Sequence, residues 1–285
     1  MLIYQDNNPA SCPNDGNADL VMITSDRMRI PVSKAVVTLA SPVLSKMLRE
    51  SQARGDNLDP NSESAKEQDQ SIFHAEEDSG TMERLIQICW PAGVPTPSSM
   101  RWIPRMSMVA QKYKMERAMW ILQQQWRTLS AKEPFRAYLL AASDDWKEGT
   151  CAAARTLLSR RFSEIRATYI PELETTLTGP YYRLLLFHKA CGDAAAKINT
   201  QPFDTYICRP FFGICSGKWK ILHAQRITES LKTRPSASVF SDETLLGELL
   251  RDIGSCPECQ PRLTQILSTH VTYGRMVEEA TAKVC

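Results

Sequence analysis

The chain has 285 residues, of which 43% are hydrophobic, enough apolar material for one large domain or two modest ones. Its 34 basic and 32 acidic residues leave a net charge of only +2, so no strong overall field exists to hold a polyanion, and bulk charge gives nucleic-acid binding no support. No stretch approaches the roughly 20 apolar residues of a membrane helix. Residues 1–17 carry Asp6, Pro13 and Asp15 and lack the apolar centre of a signal peptide, so they are expected to form a flexible terminus on a soluble, intracellular protein of the cytoplasm or nucleus.

Elements then follow in order. Leu20 to Ile23 is a short apolar run, turned by Ser25-Asp26. Met28, Ile30 and Val32 alternate with Arg27, Arg29 and Pro31, which predicts a two-stranded hairpin with one buried face. Ser33 to Leu39 is a short helix, and Ser41 caps another whose first position is Pro42 and whose stripe is Val43, Leu44, Met47 and Leu48. Residues 51–70 are polar apart from Leu58 and are expected to be a mobile loop. Ser71 to His74 is a strand. Asp78 or Ser79 caps a helix bearing Met82, Leu85, Ile86 and Cys89, which stops at Trp90 because a residue before proline leaves helical geometry. A proline-rich connection, Pro91 to Pro97, follows.

The remainder reads as helical. Met106, Val109, Ala110 and Tyr113 share one face, and Met115, Ala118, Met119, Leu122 and Trp126 another. Phe135, Tyr138, Leu139, Ala142 and Trp146 recur at helical spacing, as do Cys151, Ala154, Leu157, Leu158 and Phe162. Trp120, Trp126, Tyr138 and Trp146 fall at core spacing. A long helix is expected from Tyr181 to about Ile198, an irregular segment over 200–217, and helices near 218–233, 241–252 and 259–282.

The order strand, strand, helix, helix, strand, helix, then further helices, resembles a BTB/POZ domain. ADLVMITSDRMRIPVSKAVVTLASPVLSKML is similar to the opening of that domain, with Asp19 as a buried Asp before the first strand, Lys34 opening a helix and Ser41 at a Ser-rich turn. IFHAEEDSGTMERLIQICWPAGVP resembles its middle strand and helix, and VAQKYKMERAMWILQQQW its closing helices. The resemblance spans residues 18–127. It implies an α+β fold, with a short sheet packed with helices, followed by a mainly α-helical domain over 128–285. It also implies homodimerisation through Val36, Val37, Leu39, Val43, Leu44 and Met47, and recruitment of other proteins, including a substrate-adaptor role on a cullin scaffold of a ubiquitin ligase. EPFRAYLLAASDDWKEGTCAAARTLL and YYRLLLFHKACGDAA are similar to a large group of fungal BTB proteins.

Nine cysteines stand in the chain, seven of them beyond residue 150. An odd count without an export signal argues against a disulfide framework. Cys256-Pro257-Glu258-Cys259 is a CxxC, whose two thiolates can grip one edge of a tetrahedral zinc. His188 and Cys191, three apart on a helix, are candidates for a second edge, and Cys208 and Cys215 lie between them and the CxxC in sequence. A structural zinc held by four of these six residues is one expectation, and burial of the cysteines as small hydrophobes is the other. His270, eleven residues beyond Cys259, is a further candidate ligand, but a surface position is the expectation.

No GxSxG, P-loop, HExxH or GxGxxG occurs, so no enzyme class is indicated. His188, His223 and His270 all stand near cysteines in sequence, but a Cys–His nucleophile needs a spatial pair. Arg155, Arg160, Arg161 and Arg166 read as a solvated helix face. The alternative to an interaction module is a zinc-stapled, nucleic-acid-associated transcriptional regulator, against which the near-neutral charge weighs.

Overall fold

The computed structural model describes residues 18–55, 71–90, 99–198, 218–254, 256 and 259–284. Within these the chain is mostly helical with one three-stranded sheet, an α+β architecture. It divides into two compact units, one running to Lys132 and including Asp144–Trp146, the other comprising Glu133–Ser143 and the chain from Lys147 onward.

In the first unit, strand β1 (Leu20–Ile23) lies between β2 (Arg29–Val32), antiparallel to it, and β3 (Ser71–His74), parallel to it. A strand paired on both edges and covered on both faces needs apolar side chains throughout, and Leu20, Val21 and Met22 are all buried. Strand β2 is an edge, so it alternates: Ile30 and Val32 point inward while Arg29 and Pro31 are exposed. Proline is tolerated there because an edge strand has a backbone side with no ladder partner.

Parallel pairing of β1 with β3 demands a crossover. Helices α1 (Lys34–Ala40) and α2 (Pro42–Gly55) lie in that connection, so residues 51–55 continue a helix where the polar composition suggests a loop. The rest of that expected loop, the 91–97 connection and the 200–217 segment lie outside the described residues. Helices α3 (Ser79–Cys89), α4 (Ile103–Lys112) and α5 (Glu116–Lys132) complete the unit. Helix α5 continues as one element past residue 127. Trp126 on it meets Trp146 edge-on, with ring centroids 5.0 Å apart. Trp120, at core spacing in sequence, is instead 64% exposed.

Polar side chains fix the joints. Asp19, expected to be buried, is exposed, and its Oδ1 accepts a 2.6 Å hydrogen bond from the Lys34 amide at the start of α1. Ser41, fully buried, accepts from the Leu44 amide at 3.0 Å as the cap of α2 and donates its hydroxyl to the carbonyl of Tyr113, 72 residues away. Asp26 at the hairpin turn accepts from the Thr24 hydroxyl and from the hydroxyl and amide of Ser79, at 2.6 and 3.2 Å, so that it ties the turn to the start of α3. The hydrogen bonds from Ser79, then Thr24, hold its carboxyl at about 2. Asp78 caps α3 through the Thr81 amide at 2.9 Å.

The second unit contains α6 (Pro134–Ser143), α7 (Lys147–Leu157), α8 (Phe162–Ala167), α9 (Glu172–Thr175), α10 (Thr178–Ala196), α11 (Lys218–Thr233), α12 (Glu243–Ile253) and α13 (Leu263–Ala282). Tyr138 on α6 donates its hydroxyl to the Pro180 carbonyl in α10 at 2.9 Å, and Arg136 meets Glu172 at 2.6 Å. A core of Trp219, Ile227, Leu231, Val239, Phe240, Leu249, Ile253, Tyr273 and Val277 gathers α11, α12, α13 and the 3-10 turn Ala237–Ser241.

Ser41→Ala is expected to lower stability by about 1–3 kcal/mol, since it strips the α2 cap and leaves a buried carbonyl without its donor; denaturant titration checks this. The Asp26 carboxylate, with its acidity raised in the fold, contributes stability that is complete above pH 3.8 and is lost as pH falls toward about 2. The gap in thermal midpoint between the wild type and Asp26→Asn is therefore expected to be constant at neutral pH and to close over that acid interval.

Candidate functional site

Helix α1 has too few residues to bury more than one face. Val37 faces the core and is 1% exposed, whereas Val36, Leu39 and Ala40, at i, i+3 and i+4, share a different face. Leu39 is 88% exposed. Together with Pro42 of α2, Cys89 at the end of α3, and Lys114, Glu116 and Arg117 between α4 and α5, these three residues line an open groove of about 440 Å³. Its lining combines apolar side chains with both signs of charge. Burial raises the Cys89 thiol above its ordinary range, with Arg117 opposing, so this cysteine is a neutral part of the lining.

The residues expected to form a dimer surface therefore divide. Leu39 is presented outward, Val36, Val43 and Met47 are half-buried, and Val37 and Leu44 are core residues at 1% and 0% exposure. The last two are removed from the surface set because their helical phase turns them into the core of the unit rather than toward solvent.

The second unit places the other candidates. Leu184, His188, Cys191 and Ala195 form the buried stripe of α10. His188 Nε2 lies 3.2 Å from the Arg160 carbonyl; a carbonyl only accepts, so this nitrogen carries the proton and satisfies a carbonyl just beyond the end of α7. Phe162 packs on the same ring with centroids 5.4 Å apart, and burial lowers the His188 pKa. Cys256 and Cys259 are buried within the core of α11, α12 and α13. Cys208 and Cys215 lie outside the described residues. Among the described residues no group of three or more His, Cys, Asp or Glu is gathered to hold a metal ion. Arg155, Arg160, Arg161 and Arg166 are all exposed.

His270 departs from expectation. It is 4% exposed, and its Nε2 lies 3.1 Å from Nε2 of His223, itself 1% exposed, with the two rings near parallel at 25°. The sequence carries a signal for this. His223 falls on the stripe Trp219, His223, Ile227, Leu231, and His270 on Leu263, His270, Tyr273, Val277; both are core phases of their helices. The pairing itself has no local signal, because 47 residues separate the partners.

A charged cleft of about 420 Å³ also opens on this unit, where Arg226 is paired with Glu248 at 3.2 Å and with Asp252, and Arg234 with Asp242. No helix among the described residues is long and apolar enough to cross a membrane. No protein-family model matches the chain, and no curated protein matches it.

Gly192 marks a close helix approach in this unit: a Cβ there would stand 2.4 Å from the Lys232 carbonyl oxygen at the end of α11. Backbone cannot yield as a flexible side chain does, so Gly192→Ala is expected to cost about 1–3 kcal/mol of stability in a denaturant titration, although alanine is the better helix former.

Proposed function

We propose that this chain is a protein-interaction module of the BTB/POZ type, which pairs with a second copy of itself and recruits further proteins. The observation that carries this reading is Leu39, a large apolar side chain 88% exposed at the mouth of a groove shared with Val36, Ala40 and Pro42. The strand order β2-β1-β3 and the succession of α1, α2 and α3 around it also support the reading, since they agree with the architecture the sequence resemblance implies.

Pairing about a two-fold axis would bring the same face of both copies together, so each buried apolar group counts twice. Burying one exposed leucine contributes roughly 1.5–3 kcal/mol. The lining residues Lys114, Glu116 and Arg117 offer both charge signs, which suits a self-complementary contact better than a strongly charged partner. Recruitment of a cullin scaffold, in an adaptor role, belongs to the same proposal and requires a surface distinct from the one used for pairing.

Static light scattering of the full chain is expected to give twice the chain mass at micromolar concentration. Leu39→Glu is expected to weaken association at least tenfold while leaving the unfolding midpoint of the separated chains almost unchanged, because the residue touches little within its own chain. A wild-type mass equal to one chain at all concentrations would overturn the self-association claim.

A further inference from the structure

Imidazoles from α11 and α13 meet inside the C-terminal core. The 3.1 Å separation of the two Nε2 atoms is a hydrogen-bond distance, so one of them carries a proton and the other presents its lone pair. That axis has room for a single proton. Phe240 covers His270 with ring centroids 5.7 Å apart and in turn stacks on Tyr273 at 6.0 Å, which keeps the surroundings apolar. We propose that the His223–His270 pair is an acid-operated latch, holding α11 to α13 while the two rings share one proton and releasing them when further protons are bound.

The groups around the pair decide the direction. From α11 comes Arg226, a cation that disfavours a second charge, and from α12 comes Asp252, which favours one. Asp252 is already bound to Arg226, and Glu248 of α12 shares the same guanidinium at 3.2 Å. The 237–241 turn contributes the Phe240 carbonyl, which favours a proton on His270, and α13 adds the uncharged Tyr273. Helix α10, packed on both α11 and α13, buries His188 and Cys191, and His188 is engaged by the Arg160 carbonyl. Burial, then His270 and Arg226, brings His223 to about 4, and burial lowers His270 as well.

Because both rings are harder to protonate folded than unfolded, the unfolded chain takes up protons first. The stability the pair provides is complete above about pH 6.5 and falls as pH drops below it, levelling where the folded pair also protonates. Each excess proton raises the unfolding equilibrium constant about tenfold per pH unit in that interval. His188 acts in the same sense, so the comparison must hold it constant.

The test is urea unfolding of the full chain between pH 7.5 and 5, wild type against His223→Gln/His270→Gln, in which neutral amides replace the rings. Below pH 6.5 the wild-type unfolding constant is expected to rise at least tenfold more per pH unit than that of the variant. Equal slopes would overturn the latch. Imidazole NMR of the wild type provides a reading that needs no variant: both rings resisting protonation at pH 6 supports the latch, and both titrating near 6.5 overturns it. Metal analysis closes the remaining route, since stoichiometric zinc that is lost in the pair variant would make the two rings metal ligands and overturn the proton mechanism.

Discussion

The first unit depends on one buried hydroxyl. Strand β1 pairs in parallel with β3, and the chain between them must leave the sheet, turn and return. That turn is made at Ser41, where α1 ends and α2 begins. A hydroxyl both accepts and donates, so this one side chain caps α2 through the Leu44 amide and reaches the Tyr113 carbonyl at the end of α4. No apolar residue offers both functions, and a larger polar residue would not fit a position with no exposed area. With the turn fixed, Val37 and Leu44 are committed to the core, and Leu39, two residues on from Val37 and so about 200° around the helix, is committed to solvent. The exposed leucine that carries the functional proposal is a consequence of how α1 is pinned.

The second unit solves a different problem. It has no sheet among its described residues, and its helices are held by close approach and by polar groups set into apolar stripes. Gly192 lets α10 meet the Lys232 carbonyl. His188 supplies a donor to a carbonyl just beyond α7, and His223 and His270 supply a donor and an acceptor to each other. Each is a buried polar contact that is stabilising while satisfied and costly when broken. Such a core places titratable imidazoles among its apolar side chains, whereas the buried side chains of the first unit include no histidine among its described residues.

Local patterns made most elements legible. Alternation gave β2, the Ser41-Pro42 pair gave the start of α2, and Asp78 with Trp90-Pro91 bounded α3 within a residue. Composition misled at 51–55, where a polar sequence continues a helix already nucleated and packed upstream. Periodicity misplaced Trp120, because spacing alone does not say how wide the buried stripe is. The candidate site was legible in part. The family resemblance pointed to the α1–α2 segment, yet which of its apolar residues face outward depends on the helix phase set by Ser41 and Val37. The burial of His223 and His270 was legible from their helical phases, but their pairing was not, since it joins residues 47 apart.

In the proposed pairing Leu39 is a contact residue rather than an isolated exposed leucine. The most direct measurement is hydroxyl-radical footprinting of this side chain as protein concentration is raised, with Met28, 56% exposed on the hairpin, as an internal reference. Labelling of Leu39 is expected to fall steeply over the concentrations at which chains pair, while Met28 stays labelled. Labelling of Leu39 that stays constant at all concentrations would contradict the proposed pairing.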